Sequence, residues 1–116
     1  MLLNHLKSSG LWMYANGILP IDLQTPTNFL HEYVEEQARK IIANIEELSQ
    51  PTAFRLSEVA SVQIFLCNFQ KFYPRVNVLY PSLFEKFNSP SISCVGVDGL
   101  PRGALISMNF VFLKNA

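Results

Sequence analysis

Charged residues are scarce in this chain and show no excess of either sign. Only 16% of the 116 residues are charged, and nine Lys and Arg residues offset nine Asp and Glu residues. Without a global positive field, a general nucleic-acid binder is not expected. The chain is 49% hydrophobic, with a mean hydropathy of +0.18. Disorder needs low hydrophobicity and high net charge, so the composition excludes a disordered tail.

Long apolar runs and a signal peptide are also missing. No run of about 18 uncharged apolar residues exists, so no membrane-spanning helix is predicted. The segment from Met1 to Lys7 is too short and too interrupted for the apolar part of a signal peptide. We therefore expect a cytoplasmic protein, with a mitochondrial location left open. The two cysteines, Cys67 and Cys94, are then expected as reduced, buried thiols.

Catalytic motifs are absent as well. The segment from Gly96 to Gly99 lacks the spacing and the lysine of a phosphate loop. The two Cys and two His residues match no zinc spacing, so no metal and no cofactor are predicted. His5 and His31 are interpreted as surface or interface histidines. Nothing local supports a Cys–His nucleophile pair built on Cys67 or Cys94.

The residue pattern predicts strands and helices in alternation. Apolar residues three and four apart predict a helix from Leu30 to Leu48, ended by Pro51. A second helix is predicted from Phe72 to Phe87, with Pro74 in its first turn and Pro81 as an interior conflict that would kink it. Strands are predicted at residues 11–15, 18–20, 59–66, 91–97 and 104–113, with a turn or bulge at 16–17 and a hairpin-like loop at 98–103.

This order of elements indicates a single α+β domain over residues 1–116. Strand, strand, helix, strand, helix, strand, strand is typical of a mixed β-sheet with two helices packed on one face. The chain is long enough to bury roughly 65% of its unfolded surface, so it can form a real core. Its apolar excess points to a buried sheet or a subunit interface.

Several motifs, in order along the chain, resemble one known family. They are Val34-Glu35-Glu36-Gln37-Ala38-Arg39, Leu56-Ser57-Glu58-Val59, Val76-Asn77, Ser93-Cys94-Val95 and Leu100-Pro101. Gly17 and Pro20 match a further segment. Together they resemble the RidA family, also called YjgF or L-PSP, over residues 7–113.

The resemblance implies a fold and an assembly. The fold would have a βαβαββ-type core, and three subunits would pack their sheets into a central barrel. Small-molecule ligand clefts would lie between neighbouring subunits of this homotrimer. The typical member hydrolyses enamines and imines, such as 2-iminobutanoate and 2-iminopropanoate, to 2-oxo acids and ammonia.

Transfer of the family's functional residues onto this chain gives a mixed result. The carboxylate-binding Arg falls on Ile92, and the Glu that positions the attacking water falls on Asn109. The N-terminal Tyr falls on Leu2, and the Ser before the conserved Gly becomes Asn16. Retained are Gly17, Asn77, Cys94 and Leu100-Pro101. The expected ligand cleft therefore comprises Asn16, Gly17, Asn77, Ile92, Cys94 and Asn109, with no intact catalytic residue.

The change at position 92 has a direct chemical consequence. Arg grips a carboxylate with two parallel, charge-assisted hydrogen bonds, whereas Ile92 has no donor. Asn109 can orient a water molecule but cannot take a proton from it as a carboxylate can. Arg102, in the loop before the last strand, is a candidate substitute cation from a neighbouring subunit, although a solvated loop charge is the simpler interpretation.

Three functions follow from the resemblance. The first is a degenerate binding or regulatory member, including a domain of the kind associated with diphthine–ammonia ligase. The second is an active imine deaminase, a hydrolase, with altered substrate preference. The third, RNA cleavage, is disfavoured because the chain is neutral and lacks a basic–aromatic stripe.

Overall fold

The computed structural model describes residues 5–25 and 30–114, which form one five-stranded mixed sheet. Its strand order is β1-β2-β5-β3-β4. All neighbours are antiparallel except β3 and β4, which run parallel. The strands are β1 (Leu6–Ser9), β2 (Trp12–Ile18), β3 (Val59–Cys67), β4 (Ser91–Val97) and β5 (Ile106–Leu113). The expected α+β class with a mixed sheet is confirmed.

The first hairpin lies earlier than predicted. β1 was not predicted, because Leu6–Ser9 has a single apolar residue and no alternation to reveal an edge strand. The strands predicted at 11–15 and 18–20 are one strand, β2, with a register shift between Ala15 and Ile18 against β5. Asn16-Gly17 is therefore a bulge within β2, and Gly17 takes the positive φ of 66° that glycine tolerates.

The loop at 98–103 does not form a hairpin. β4 and β5 are not paired, because β3 lies between them. The chain leaves β4 at one edge, passes the end of β3 through a short 3₁₀ turn at Pro101–Gly103, and enters β5 on the far side. Sequence spacing alone cannot separate this connection from a hairpin, since both join two strands by a short loop.

The long helix α1 (Val34–Ser49) confirms the first predicted helix, but the second is wrong as one element. Two helices, α2 (Phe69–Asn77) and α3 (Tyr80–Leu83), replace it. Pro74 lies inside α2 rather than in its first turn, and Pro81 lies in the first turn of α3. At Pro81 the chain therefore begins a new helix instead of kinking one long helix. Proline in the first turn loses no hydrogen bond, because the N–H that it lacks would have no partner within the helix.

The three helices cover one face of the sheet. α1 packs on β2 and β5, and α2 packs on β3 and β4. The buried strand residues alternate along each chain segment, as a half-buried sheet requires. The fully buried members on this face include Met13, Val62, Ile64, Leu66, Ile106, Met108, Phe110 and Phe112. The opposite side, here called the open face, carries the alternate residues of each strand.

Two buried amides of α1 fix the loops around this core. Asn44 donates from Nδ2 to the carbonyl oxygens of Leu19 and Ile21, at 2.9 and 2.8 Å. Gln37 donates to the carbonyl oxygen of His31 and accepts from the backbone N–H of Leu105, at 2.7 and 2.9 Å. Both side chains are satisfied, so their burial does not cost an unpaired polar group.

Candidate functional site

The bulge in β2 brings three of the predicted cleft residues together. Gly17 donates its backbone N–H to Oδ1 of Asn109 at 2.7 Å, which joins β2 to β5 where the register shifts. Asn16, beside Gly17, lines the same recess as Asn109. His5 contacts the bulge as well, because its Nδ1 lies 2.7 Å from the carbonyl oxygen of Asn16. Asn109 therefore has a structural bond that already uses its amide oxygen.

Ile92 and Cys94 lie on the other face of the sheet. In the parallel register, Ile92 is opposite Val62 and Cys94 is opposite Ile64, both of which are buried under the helices. Ile92 and Cys94 pack against this core from the edge strand β4. Within one chain, the layer of the sheet separates them from Asn16 and Asn109, so a single small ligand cannot contact both groups.

The surroundings of Cys94 keep its thiol protonated. Burial raises the pKa of Cys94, and burial beside Cys94 raises the pKa of Tyr80. Burial, with the charge of Asp98, also raises the pKa of Cys67. Both cysteines are free but only half-buried, which corrects the expectation of buried thiols. A thiolate nucleophile needs a lowered pKa, so neither cysteine has the electrostatics of one.

Asn77 ends α2 on the helix side of the sheet and is exposed. The hydroxyl of Tyr73 donates to its Oδ1 at 3.4 Å, and Tyr73 stacks on Phe69 with ring centroids 4.8 Å apart. These aromatic side chains belong to the helix that connects β3 to β4. Their proximity was not predicted, because it depends on where α2 begins.

The cationic side chains of α2 have partners, and Arg102 lies far from Ile92. Arg75 of α2 makes a two-bond ion pair with Glu35 of α1, with both distances 2.7 Å. Lys71 lies over the ring of Phe72. Arg102 is exposed in the turn beyond the carboxyl end of β4, whereas Ile92 is near its amino end. The five steps from Ile92 to Val97 span about 16 Å of strand.

Leu2, the position matched to the family's N-terminal Tyr, lies outside the described residues. Within residues 5–25 and 30–114, no group of three or more His, Cys, Asp or Glu side chains is arranged to hold a metal ion. None of the helices in those ranges has both the length and the apolar character needed to cross a bilayer.

Comparison with known proteins places this fold and these motifs in one family. The family model for endoribonuclease L-PSP matches residues 3–112, so the chain belongs to the L-PSP family, which is the RidA family of the resemblance above. A RutC family protein of Sulfurisphaera tokodaii is 31% identical over 105 residues, which cover 90% of this chain and 82% of the relative.

Two further relatives differ in what is known of their function. A 2-iminobutanoate/2-iminopropanoate deaminase of Dermatophagoides farinae is 24% identical, over 88% of this chain and 77% of its own length. The crystal structure of the Rid family protein YyfA of Yersinia pestis superposes with a TM-score of 0.84 at 25% identity, covering 94% of this chain and 85% of that one. The relatives thus include an imine deaminase and a protein of unknown function.

Proposed function

We propose that this chain is a binding or regulatory member of the RidA family that lacks the usual imine-hydrolysing chemistry. The observation that carries the proposal is the apolar side chain of Ile92 at the position of the carboxylate-binding Arg. Arg75 of α2 offers no replacement, because Glu35 holds it in two hydrogen bonds. A bound imino acid would leave its carboxylate unpaired beside an aliphatic side chain, at a cost of several kcal/mol.

The second missing function is proton transfer. The amide of Asn109 has no acidic or basic group, and its oxygen accepts the N–H of Gly17. It therefore holds the β2 bulge in place instead of directing a water molecule at a substrate. Cys94 offers no replacement, since its thiol stays neutral.

The proposed ligand clefts lie between subunits of a homotrimer. Ile92 and Cys94 come from one face at the β4 edge, whereas Asn16, Gly17 and Asn109 come from the β2–β5 side. These groups meet only if the second set belongs to a neighbouring copy. Arg102 is assigned no role in binding.

The open face is the surface proposed for this assembly. Lys7 on β1 is the only charged residue in any of the five strands. Trp12 and Tyr14 are 42% and 43% exposed there, with their rings stacked. Although Lys7 is the strand partner of Tyr14, exposed aromatic side chains on a face this poor in charge are typical of the core of a protein–protein interface.

An active deaminase with altered substrate preference is the alternative, favoured by the similarity to the Dermatophagoides farinae enzyme. A domain associated with diphthine–ammonia ligase and an RNA-cleaving protein are less favoured. No nucleic-acid or membrane partner is proposed, and a cytoplasmic or mitochondrial location stays a prediction.

The test is an imine-hydrolysis assay. With 2-iminobutanoate generated in situ, we expect no acceleration above the protein-free rate, whereas a relative with the Arg accelerates its loss. Acceleration equal to that of the relative would overturn the proposal and establish the deaminase.

A gain-of-function pair sharpens the result. Ile92→Arg combined with Asn109→Glu should restore part of the activity. The new Arg can bind the substrate carboxylate, and the new Glu can accept a proton from the attacking water. Gln50→Arg combined with Asn109→Glu is the matched control. Gln50 is exposed at the end of α1, which contributes none of the expected cleft residues, so a cation there adds charge outside that set.

A further inference from the structure

The two substitutions that disable the proposed cleft lie on opposite faces of the sheet. Ile92 of β4 is opposite Val62 and packs on the helix-covered side. Asn109 of β5 is opposite Gln63, an exposed residue of the open face, and accepts the N–H of Gly17. One chain therefore cannot supply both positions to the same cleft. In a ring of three, each copy contacts its two neighbours through different surfaces, so a copy would place Ile92 in one cleft and Asn109 in another.

The open face carries little that would reject a related chain in favour of a second copy of this one. Lys7 is the only charged residue in the five strands, and the exposed aromatic side chains of Trp12 and Tyr14 are uncharged. Interfaces exclude wrong partners chiefly by opposing like charges or by leaving buried charges unpaired. Because the backbones of family members superpose on this one, a relative has the shape to take the place of a copy in the ring.

We propose that this chain assembles with an active relative into mixed trimers and thereby lowers the imine-hydrolysing activity of that relative. The partner is a chain of the same family that has Arg at the position of Ile92 and Glu at the position of Asn109. The inference rests on the proposed function, because it requires that these two residues disable a cleft. It adds the partner and the way in which this chain regulates it.

The position of the two substitutions sets how much activity a mixed trimer loses. The cleft that contains Ile92 of this chain has no group to bind the carboxylate, and the cleft that contains its Asn109 has no proton acceptor. A trimer with one copy of this chain therefore keeps one intact cleft and about one third of the activity, and a trimer with two copies keeps none. If each cleft belonged to a single chain, the same two trimers would keep about two thirds and about one third.

The experiment co-expresses this chain and an active relative that has both the Arg and the Glu, each with a different affinity tag. Two successive affinity purifications retain only mixed trimers, and native mass spectrometry gives the proportions of the two compositions. Hydrolysis of 2-iminobutanoate then gives the activity per trimer. With one copy of this chain present, we expect about one third of the activity of the all-active trimer. Failure to recover mixed trimers, or a retained activity of about two thirds or more, would overturn the inference.

Single substitutions in this chain test each disabled cleft separately. Ile92→Arg should complete one cleft and Asn109→Glu the other, so each should raise the activity of a trimer with one copy from about one third to about two thirds. Gln50→Arg, at an exposed residue at the end of α1, is the matched control and should leave the activity at about one third. No increase with either cleft variant, or an equal increase with Gln50→Arg, would contradict the inference.

The assay of this chain alone separates the two proposals. Imine hydrolysis by its own trimers would overturn both the proposed function and this inference. A chain that is inactive and never enters mixed trimers would leave the proposed function standing and overturn only the inference.

Discussion

At the scale of single residues, several polar side chains of this protein hold the fold together. Asn109 holds the β2 bulge, Asn44 and Gln37 hold loops, and Glu35 binds Arg75. The motifs that identify the family therefore include residues whose role is to build the fold. A resemblance at such positions predicts the fold better than it predicts the chemistry.

The ion pair between α1 and α2 should make stability depend on pH. The hydrogen bonds from Arg75 lower the pKa of Glu35 to about 2, from an ordinary value of 4.5. A lowered folded-state pKa means that the contribution is present above about pH 4.5 and is lost as the pH falls towards 2. Glu35→Gln should destabilise the protein by at most about 1 kcal/mol at pH 7, because both side chains are partly exposed.

Urea unfolding at pH 7 and at pH 2 measures this effect. The difference between the parent protein and Glu35→Gln should shrink at the lower pH. Glu47→Gln is the control, since Glu47 is exposed on the same helix and makes no side-chain hydrogen bond to a described residue. A difference for Glu35→Gln that is constant with pH would show that the ion pair does not stabilise the fold.

At the scale of elements, β4 and the start of α2 lie unusually close together at Gly96 and Phe69. A Cβ atom added to Gly96 would lie 2.9 Å from Cβ of Phe69, a distance too short for two carbon atoms. Gly96 thus allows α2 to lie against β4. The same approach brings the Phe69 and Tyr73 rings to the helix-covered side of the sheet.

Gly96→Ala should therefore destabilise the protein by about 1–3 kcal/mol, because the helix or the strand must move. The measurement is the free energy of unfolding in urea. Gly99→Ala is the matched control, since its added Cβ meets no atom within 4 Å, and it should change stability by less than about 0.5 kcal/mol. Equal effects of the two substitutions would contradict a packing role for Gly96.

At the scale of the whole molecule, charge is segregated. All charged residues but Lys7 lie outside the strands, so the open face has almost none, although the chain has eighteen charged residues in all (nine of each sign). A sheet face of this kind is suited to packing against other copies. The net charge is zero, but the charged residues are very unevenly divided between the strands and the rest of the chain.

Trp12→Glu should weaken the proposed trimer, because it places a charge beside the uncharged strand partners Ser9 and Leu113, in a contact that would be desolvated on assembly. Sedimentation velocity should then show monomers at concentrations where the parent protein is trimeric. Val78→Glu, at a more exposed apolar residue on the helix side, should leave the assembly intact. A parent protein that sediments as a monomer would refute the trimer itself.

The strengths and failures of the sequence-based expectations have physical causes. β3 and β4 were predicted nearly to the residue, because their β-branched content is continuous. The end of α1 was predicted to within one residue from its apolar periodicity, but its start was placed four residues early, at Leu30 instead of Val34. β1 and the division of α2 from α3 were missed, because an edge strand needs little apolar content and a proline can either kink a helix or begin one. The location of the six cleft residues on two faces could not be foreseen without the register of β3 with β4 and β5.

The sequence by itself determined the family, the α+β class and the two substitutions, Ile92 and Asn109, that question the inherited reaction. These depend on residue identity and local periodicity. Only the tertiary structure decided that β3 separates β4 from β5, that Asn109 binds Gly17, and that Ile92 lies on the opposite face from both. Such facts depend on strand pairing between distant segments, and a one-residue change of register would exchange the two faces of the sheet.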